Sequence, residues 1–555
     1  MRYESSMFLK RTYSKNHTYL SIVETYRENG QVKHKTLLQL GREDELRANG
    51  VLQGLVSSIA RVAGIAAAHD GGLCVEGFEE AARQNWGAVK VWRALWELFE
   101  LDRILGRACR AKRRKFNFLA AVFTMVVLRL MTPCSKSKVH ERQHEYLGVE
   151  EVSLAHFYRA LDYLAAGKER IEQELFDRQR DLFNHSVDLV LYDVTTLYFE
   201  SSPPDKLRDF GYGKDGKFNE MQVVVGLLVD MEGRPVGFDL FPGNTFEGRT
   251  LIAALRKLRR RFQIQRVIVV ADRGINSKLN LHAIKRAGFE YMVGTRLKSL
   301  AGTVRKDVLD YGQYEPLKKN EAGEVELAYR SLNHENQVTL RKPDGSKEAV
   351  VLSERLVCTW SKERALKDRA DRTRLVEKAH ELLKTPSKLT TRRGAKRFIK
   401  NMVAGRPEID PARIQEDAQW DGFYGIQSSH RELSPAFVIS AYHSLWKIED
   451  SFRLIKCTPQ ARPIFHWTPR RIKGHLIMCF LALLLERTLE LKLKNEKVPV
   501  SPDTIREALS SLEVSVLKAG SQKLYLASKG SPLAGAVLKA LKLAMPKPLT
   551  DSPPV

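Results

Sequence analysis

The chain has 555 residues, of which 91 are Lys or Arg and 66 are Asp or Glu, giving a formal net charge of +25. This length excludes a small single module, and 43% hydrophobic with 28% charged residues excludes a chain that is disordered throughout. A positive excess of this size favours an anionic partner, most commonly a nucleic-acid backbone. The longest apolar runs, 118–128 and 476–485, are shorter than the roughly 20 residues of a membrane-spanning helix, so we expect no membrane partner.

The six cysteines are scattered without a CxxC pair, which argues against a disulfide framework or a cysteine zinc site. The N-terminal residues contain no apolar core typical of a signal peptide. We therefore expect a cytoplasmic protein.

The first half of the chain predicts two different regions. Residues 1–48 alternate polar and apolar around Asn29-Gly30, which predicts a β-hairpin in a small β-rich N-terminal unit. Residues 49–185 have helical apolar spacing, which predicts a helical region; the family resemblance described below implies that this region binds DNA. Its basic cluster is either a phosphate-contacting patch or a solvated surface, and consists of Arg107, Arg110, Lys112, Arg113, Arg114 and Lys115.

The second half predicts a mixed sheet. Strands are predicted at 187–193, 221–229, 235–241, 267–272 and 291–295, with a helix over 250–262. Three strands followed by alternating helices and strands is the order of a ribonuclease-H-like fold. We place this core at 186–300 and 436–500, interrupted by a β-rich insertion subdomain at 301–435. A C-terminal helical segment with a frayed tail, 501–555, completes a multi-domain α+β protein.

Two short motifs suggest other functions but lack the necessary context. The GxGxxG pattern at 211–216 precedes a predicted strand instead of a phosphate-binding helix, so we interpret it as a loop. His140-Glu141-Arg142-Gln143-His144 matches the HExxH zinc motif literally. Its flanking charges favour a polar helical surface in a basic region.

Three carboxylates form the candidate catalytic set. Asp193 and Asp272 each follow an apolar strand, and Glu449 lies on a helix whose apolar stripe faces the sheet. Carboxylates held together repel one another unless cations neutralise them, and oxygen ligands favour Mg²⁺, for which Mn²⁺ can substitute. Two such ions, about 3.5–4 Å apart, support phosphodiester chemistry. Arg453 and Lys456, on the same helix as Glu449, are predicted to hold the substrate phosphate.

The motifs resemble those of bacterial cut-and-paste insertion-sequence DDE transposases with the Y-(2)-R-(3)-E-(6)-K signature. Tyr442, Glu449 and Lys456 fall on its Y, E and K positions, whereas the R position holds Leu445. Arg453, one turn after Glu449, carries a comparable charge. Further resemblance lies at 191–196, 241–245, 270–274 and 466–469, and the similarity extends over roughly residues 5–500.

The resemblance implies a DNA transposase that binds the terminal inverted repeats of a mobile element, cleaves there with two divalent ions at Asp193, Asp272 and Glu449, and joins the 3′-hydroxyl ends to target DNA. It also implies DNA contact by Tyr442, a homodimer in the synaptic complex and a bacterial, nucleoid-associated location. Two alternatives remain open: a ribonuclease-H-like DNA nuclease without strand transfer, and a catalytically inactive DNA-binding repressor. For Trp360 and Trp446 we favour packing over contact with a flipped base.

Overall fold

The computed structural model describes residues 7–62 except 15–16 and 29–30, 78–183 except 110–115, 189–244 except 200–203, 206 and 211–220, the single residues 252, 254, 256 and 257, 268–384 except 342–343, 394–400, 407–456, 466, 468–498 and 500–554 except 520–521. It divides into two compact units, Met1–Glu80 with Lys518–Gln522, and Ala81–Leu517 with Lys523–Val555.

The first unit is built on a three-stranded antiparallel sheet. Its strands β1 (Met7–Ser14), β2 (His17–Glu28) and β3 (Gln31–Arg42) lie in that order, and Glu28 pairs with Gln31 across the turn. The hairpin predicted from the sequence is therefore confirmed, although the turn residues Asn29 and Gly30 lie outside the described part of the chain. Two helices follow, Glu43–Ala48 and Val51–Val62.

The second unit contains a long central sheet flanked by helices. The strands of this sheet are β5 (Leu189–Phe199), β6 (Asp209–Phe210), β7 (Met221–Val229), β8 (Pro235–Pro242), β9 (Ile268–Ala271), β10 (Glu290–Thr295), β11 (Glu315–Lys319), β12 (Val325–Arg341), β13 (Lys347–Ser361) and β16 (Phe423–Ser428). In the described residues their order is β11-β12-β13-β16-β10-β9-β5-β7-β6, with β8 also paired to β7.

The middle of this sheet contains the five strands predicted from apolar runs. β5, β7 and β8 are successively antiparallel, whereas β9 runs parallel to β5 and β10 runs parallel to β9. All nine residues of β7 are buried, so the strand begins and ends at the same residues as the apolar run at 221–229 from which it was predicted. Most of the helix predicted at 250–262 lies outside the described residues. The expected mixed α/β architecture is confirmed.

The segment predicted as an insertion continues the same sheet. β16 pairs antiparallel with both β10 and β13, so the strands at 315–361 are joined to the middle of the sheet through β16. A charged helix, Lys362–Leu383, leaves the end of β13. A short two-stranded sheet, β14 (Ile399–Lys400) with β15 (Glu408–Ile409), lies in the same part of the sequence.

The remaining helices of the second unit form the layers beside the sheet. They span Gly87–Leu98, Leu101–Ala108, Phe118–Met131, Lys136–Arg142, Leu154–Phe183, Lys278–Arg286, Gly302–Leu309, Pro411–Ala418, Pro435–His443, Trp446–Lys456, Pro469–Asn495, Pro502–Ser510 and Pro532–Ala540. The core helix, Pro469–Asn495, is apolar on all sides over 476–485 because it packs against both Phe118–Met131 and Leu154–Phe183.

The C-terminal region contains more β structure than the sequence suggested. Between its two helices lie β17 (Glu513–Ala519) and β18 (Gln522–Ala527), and β19 (Leu549–Thr550) pairs with β18. With β4 (Glu79–Asn85) they form a four-stranded sheet in the order β19-β18-β17-β4. The tail expected to fray is therefore paired at Leu549 and Thr550, because its backbone completes a sheet edge.

Among the described helices, none alone is long and apolar enough to cross a membrane. Only the bent pair Phe118–Met131 and Lys136–Glu145, with 95° between its two helices, meets the length and composition criteria when both are counted together.

One glycine sets the separation between the core helix and the long helix Leu154–Phe183. A Cβ atom at Gly474 would lie 2.0 Å from the backbone oxygen of Leu161, far inside van der Waals contact. We predict that Gly474→Ala lowers the free energy of unfolding by about 1–3 kcal/mol, because two packed backbones must move apart. Urea denaturation followed by circular dichroism measures this change.

The matched control is Gly535→Ala, in the exposed part of the helix Pro532–Ala540. A Cβ atom there meets nothing within 4 Å, so the substitution should be neutral or stabilising by about 0.5–1 kcal/mol. Equal effects of the two alanines would contradict the proposed close helix contact.

Candidate active site

The two strands next to the predicted aspartates, β5 and β9, pair in parallel. β5 pairs with β9 at Leu189 with Ile268, Val190 with Val269 and Leu191 with Val270. The pairing ends there, and Asp193 and Asp272 each come two residues later, Asp193 within β5 and Asp272 just after β9. Neighbouring strands lie about 4.8 Å apart and aligned residues share a face, so continuing this register predicts that the two carboxylates lie side by side.

The two aspartates are held differently. Asp193 does not end its strand as the sequence suggested, because β5 continues to Phe199 and Asp193 itself pairs with Leu227 of β7. Asp272 is the first residue after β9. The Oδ1 atom of Asp193 accepts a hydrogen bond from the Val194 amide at 2.8 Å, and Oδ1 of Asp272 accepts one from the Gly274 amide at 2.7 Å. Both carboxylates are half-buried and thus reach solvent.

The helix that carries Glu449, Trp446–Lys456, packs against β5, β7 and the core helix. Ile448 and Phe452 are buried in the core, which leaves Glu449 on the exposed side. Asp450 accepts a hydrogen bond from Arg487 of the core helix at 2.9 Å, and this contact fixes the helix in place. Glu449 is therefore on a helix beside the strand that carries Asp193.

A complete ligand set is not gathered among the residues that the structure describes. Within them, no group of three or more His, Cys, Asp or Glu side chains is arranged to hold a metal ion. The register aligns Asp193 with Asp272, while Glu449 points to solvent from the neighbouring helix. The chemistry of the donors, all carboxylate oxygens, suits a hard divalent cation. The three-carboxylate site remains a prediction.

Tyr442 lies beside Asp272. Its hydroxyl is 2.6 Å from the hydroxyl of Tyr424, and both hydroxyls lie over Gly294, where a Cβ atom would be 2.3 Å and 2.6 Å from them. Burial raises the pKa of Tyr442 well above its usual range, and the neighbouring Tyr424 and Asp272 raise it further. The phenol therefore stays neutral and keeps its proton as a hydrogen-bond donor.

The other predicted DNA-contacting residues are only partly described. The helix extends to Lys456, but the side chains of Arg453 and Lys456 lie outside the described part of the chain. The packing predicted for Trp446 is wrong, because 59% of its surface is exposed. Trp360 does pack, with its ring centre 5.0 Å from that of Tyr311.

A charged cavity next to Asp272 was missed by the sequence analysis. It has a volume of about 390 Å³ and is lined by six Arg or Lys and four Asp side chains, including Arg273, Arg296 and Arg364. The guanidinium groups of Arg364 and Arg273 lie 4.6 Å and 5.5 Å from the ring centre of Tyr424. Among the described residues, no carboxylate lies within ion-pair distance of Arg273 or Arg296. In the sequence, the one indication that Arg273 lies at this cavity is its position directly after Asp272.

The two alternative motifs acquire no further support. The helix at His140 ends at Arg142, His140 Nδ1 lies 3.0 Å from the Val152 backbone oxygen, and Glu141 pairs with Lys138 at 2.5 Å. The glycines at 211–216 lie outside the described residues, as do the cations at 110–115.

Two sequence models of known families match the chain. The model of the Transposase DDE domain matches residues 186–485, and the model of the IS1634 family transposase N-terminal domain matches residues 9–70. The chain belongs to the insertion-sequence DDE transposases. The DDE domain match includes all three carboxylates and covers more than half of the chain.

Two solved structures with a distant likeness to this chain can be named. The piggyBac transposase in a synaptic complex with hairpin DNA has 9% identity and a TM-score of 0.35, over 78% of this chain and 82% of that one. The Mos1 transposase in a paired-end complex with a left transposon end has 12% identity and a TM-score of 0.14, over 33% of this chain and 60% of that one. No curated protein sequence matches the transposase.

The aligned aspartates generate a direct binding prediction. We predict that Asp193→Asn and Asp272→Asn each raise the dissociation constant for Mn²⁺ at least about tenfold, because each removes a charged oxygen ligand. Isothermal titration with MnCl₂ measures the constant. Glu335→Gln, an exposed carboxylate on β12, is the charge-matched control and should bind Mn²⁺ as the wild type does. Unchanged affinity in both aspartate variants would contradict this site.

Proposed function

We propose that this transposase binds the ends of a mobile element, cleaves DNA phosphodiesters there and joins the 3′-hydroxyl ends to target DNA. The observation that carries the proposal is the parallel register of β5 and β9, which aligns Asp193 with Asp272 inside the matched DDE domain. The strand order β8-β7-β5-β9-β10, antiparallel for the first three and parallel for the rest, supports a ribonuclease-H-like core.

Asp193, Asp272 and Glu449 fit as ligands of divalent ions, Mg²⁺ with Mn²⁺ as a substitute. Two ions bound there supply the activation of the attacking water or 3′-hydroxyl and the stabilisation of the leaving oxygen. Asp193, within β5, and Asp272, directly after β9, fix the position of the scissile phosphate, while Glu449 approaches from the adjacent helix. When DNA binds, the exposed Glu449 side chain turns toward the aspartates and completes the ligand set.

The positive charges beside Asp272 support DNA binding at the same edge of the sheet. Arg273 and Arg296 line the cavity, lie just after strands β9 and β10 and are exposed, so they hold backbone phosphates near the cut. The Tyr442 hydroxyl donates a hydrogen bond to a backbone phosphate near the cut. Arg453 and Lys456 contact the phosphate from the helix of Glu449. The helical region at 49–185 recognises the inverted repeats, two copies hold two ends in the synapse, and the protein acts on the bacterial nucleoid.

An assay of DNA cleavage and joining tests the proposed transposase function. The substrate is labelled duplex DNA from the regions that flank the coding sequence, incubated with MgCl₂ or MnCl₂ and a target plasmid. We predict cleavage and joining by the wild type, and a loss of at least about 10³-fold in both for Asp193→Ala, Asp272→Ala and Glu449→Ala, with DNA affinity retained.

The alternatives give different results in this experiment. Cleavage without joining identifies a nuclease of the same fold, and DNA binding without metal-dependent cleavage identifies an inactive DNA-binding repressor. Glu335→Gln again serves as the control, because its exposed carboxylate lies on β12 and not on the strands or helix of the site.

The exposed indole of Trp446 gives a separate test of DNA contact. It lies one turn before Glu449, where an aromatic ring stacks with an unpaired base. We predict that Trp446→Ala weakens binding to a nicked or frayed DNA end by about 1–3 kcal/mol, measured by fluorescence anisotropy. The control is Phe437→Ala, an aromatic ring exposed to 40% on the preceding helix, which should bind normally. Equal losses in both variants would contradict a specific contact by Trp446.

A further inference from the structure

The turn that carries Asp272 is tied to distant strands by side-chain hydrogen bonds. The chain turns sharply between the end of β9 and the helix Lys278–Arg286. In this turn the backbone N–H of Asn276 donates to the Arg273 carbonyl at 3.3 Å, and the backbone N–H of Ser277 donates to the Ile275 carbonyl at 2.7 Å. Ser277 then caps the helix. The backbone N–H of Gly274, within this turn, donates to Asp272 Oδ1 at 2.7 Å, so the turn orients the carboxylate.

The side-chain amide of Asn276 holds the turn against β10, next to Asp272. Its Nδ2 donates to the Gly294 carbonyl at 2.8 Å and lies 3.2 Å from both Thr295 Oγ1 and Gln427 Oε1. Val293 pairs with Ala271, so Gly294 is the residue of β10 directly opposite Asp272. The hydrogen bond from Asn276 to Gly294 therefore anchors the turn beside Asp272.

Gln427 extends the hydrogen-bond chain into the segment between the second aspartate and Glu449. It is almost fully buried on β16, and its Oε1 also accepts a hydrogen bond from Thr295 Oγ1 at 3.1 Å. Its Nε2 donates to Glu354 on β13, and the same carboxylate accepts a hydrogen bond from the Tyr291 hydroxyl. Glu354 is 1% exposed, so both partners are needed to compensate its lost hydration.

We propose that Asn276 and Gln427 are positioning residues for Asp272, through a buried hydrogen-bond chain that runs from the Asp272 turn to Glu354. This inference rests on the proposed function, because it treats Asp272 as a metal ligand. A buried network in which each polar group has a partner adopts one arrangement and resists displacement. The strands at 347–361 and 423–428, far from Asp272 in sequence, thus set the geometry of the site.

Outer-shell hydrogen bonds orient ligating carboxylates, and their removal typically costs about 10–100-fold in metal affinity or activity. The test is isothermal titration of Mn²⁺ into the full-length transposase, together with the MnCl₂ concentration for half-maximal cleavage of the flanking DNA. Asn276→Ala and Gln427→Ala should each raise the Mn²⁺ dissociation constant about 10–100-fold, with partial recovery of cleavage at high MnCl₂ and unchanged DNA affinity. Asn333→Ala, an exposed amide on β12, is the matched control.

A milder variant guards against misfolding. Thr295→Val is close to isosteric and removes only the hydroxyl between Asn276 and Gln427, so it should shift Mn²⁺ affinity in the same direction by about 3–10-fold. Unchanged Mn²⁺ affinity in a folded Asn276→Ala or Thr295→Val protein, while Asp272→Asn loses it, overturns the positioning role alone. Unchanged Mn²⁺ affinity and cleavage in Asp272→Asn itself overturns the proposed function instead.

Discussion

The pairing of two parallel strands in one register is the constraint on which the rest of the site depends. β5 and β9 come from separate parts of the chain, and a shift of one residue would turn one aspartate to the opposite face of the sheet. Buried side chains on both strands prevent that shift, because Val190, Leu191, Val269 and Val270 are all fully enclosed. Hydrophobic packing thus fixes the register on which the proposed pairing of the two aspartates depends.

The elements around this pair of carboxylates supply a rigid support and nearby positive charge. The helix of Glu449 is fixed to β5 and β7 by Ile448 and Phe452 and to the core helix by Asp450 and Arg487. On the other side, Arg273 and Arg296 contribute positive charge at the same edge of the sheet. The proposed cation ligands and the proposed phosphate contacts thus lie at the same edge of the sheet, as phosphodiester chemistry requires.

The sequence could predict the parts of the fold that local patterns encode. The buried strand β7 is a continuous apolar run, and the aspartates follow apolar runs of the same kind. Pairings between distant segments could not be predicted: β16 joins β10 across more than a hundred residues, and β4 is a polar strand, EEAARQN, without a β pattern. Trp446 was misassigned because apolar Leu445 and Trp446 are adjacent and periodicity does not decide which of them faces the core. The Asn276 and Gln427 contacts depend on that same long-range register.

The most direct measurement of the central claim is a crystal structure of the transposase with an uncleaved DNA end and MnCl₂, using the anomalous scattering of manganese to locate the ion. We expect a manganese peak within ligating distance, about 2.0–2.4 Å, of carboxylate oxygens from both Asp193 and Asp272, with Glu449 turned toward them. Manganese bound elsewhere, with Asp193 and Asp272 separated or facing opposite sides of the sheet, would contradict it.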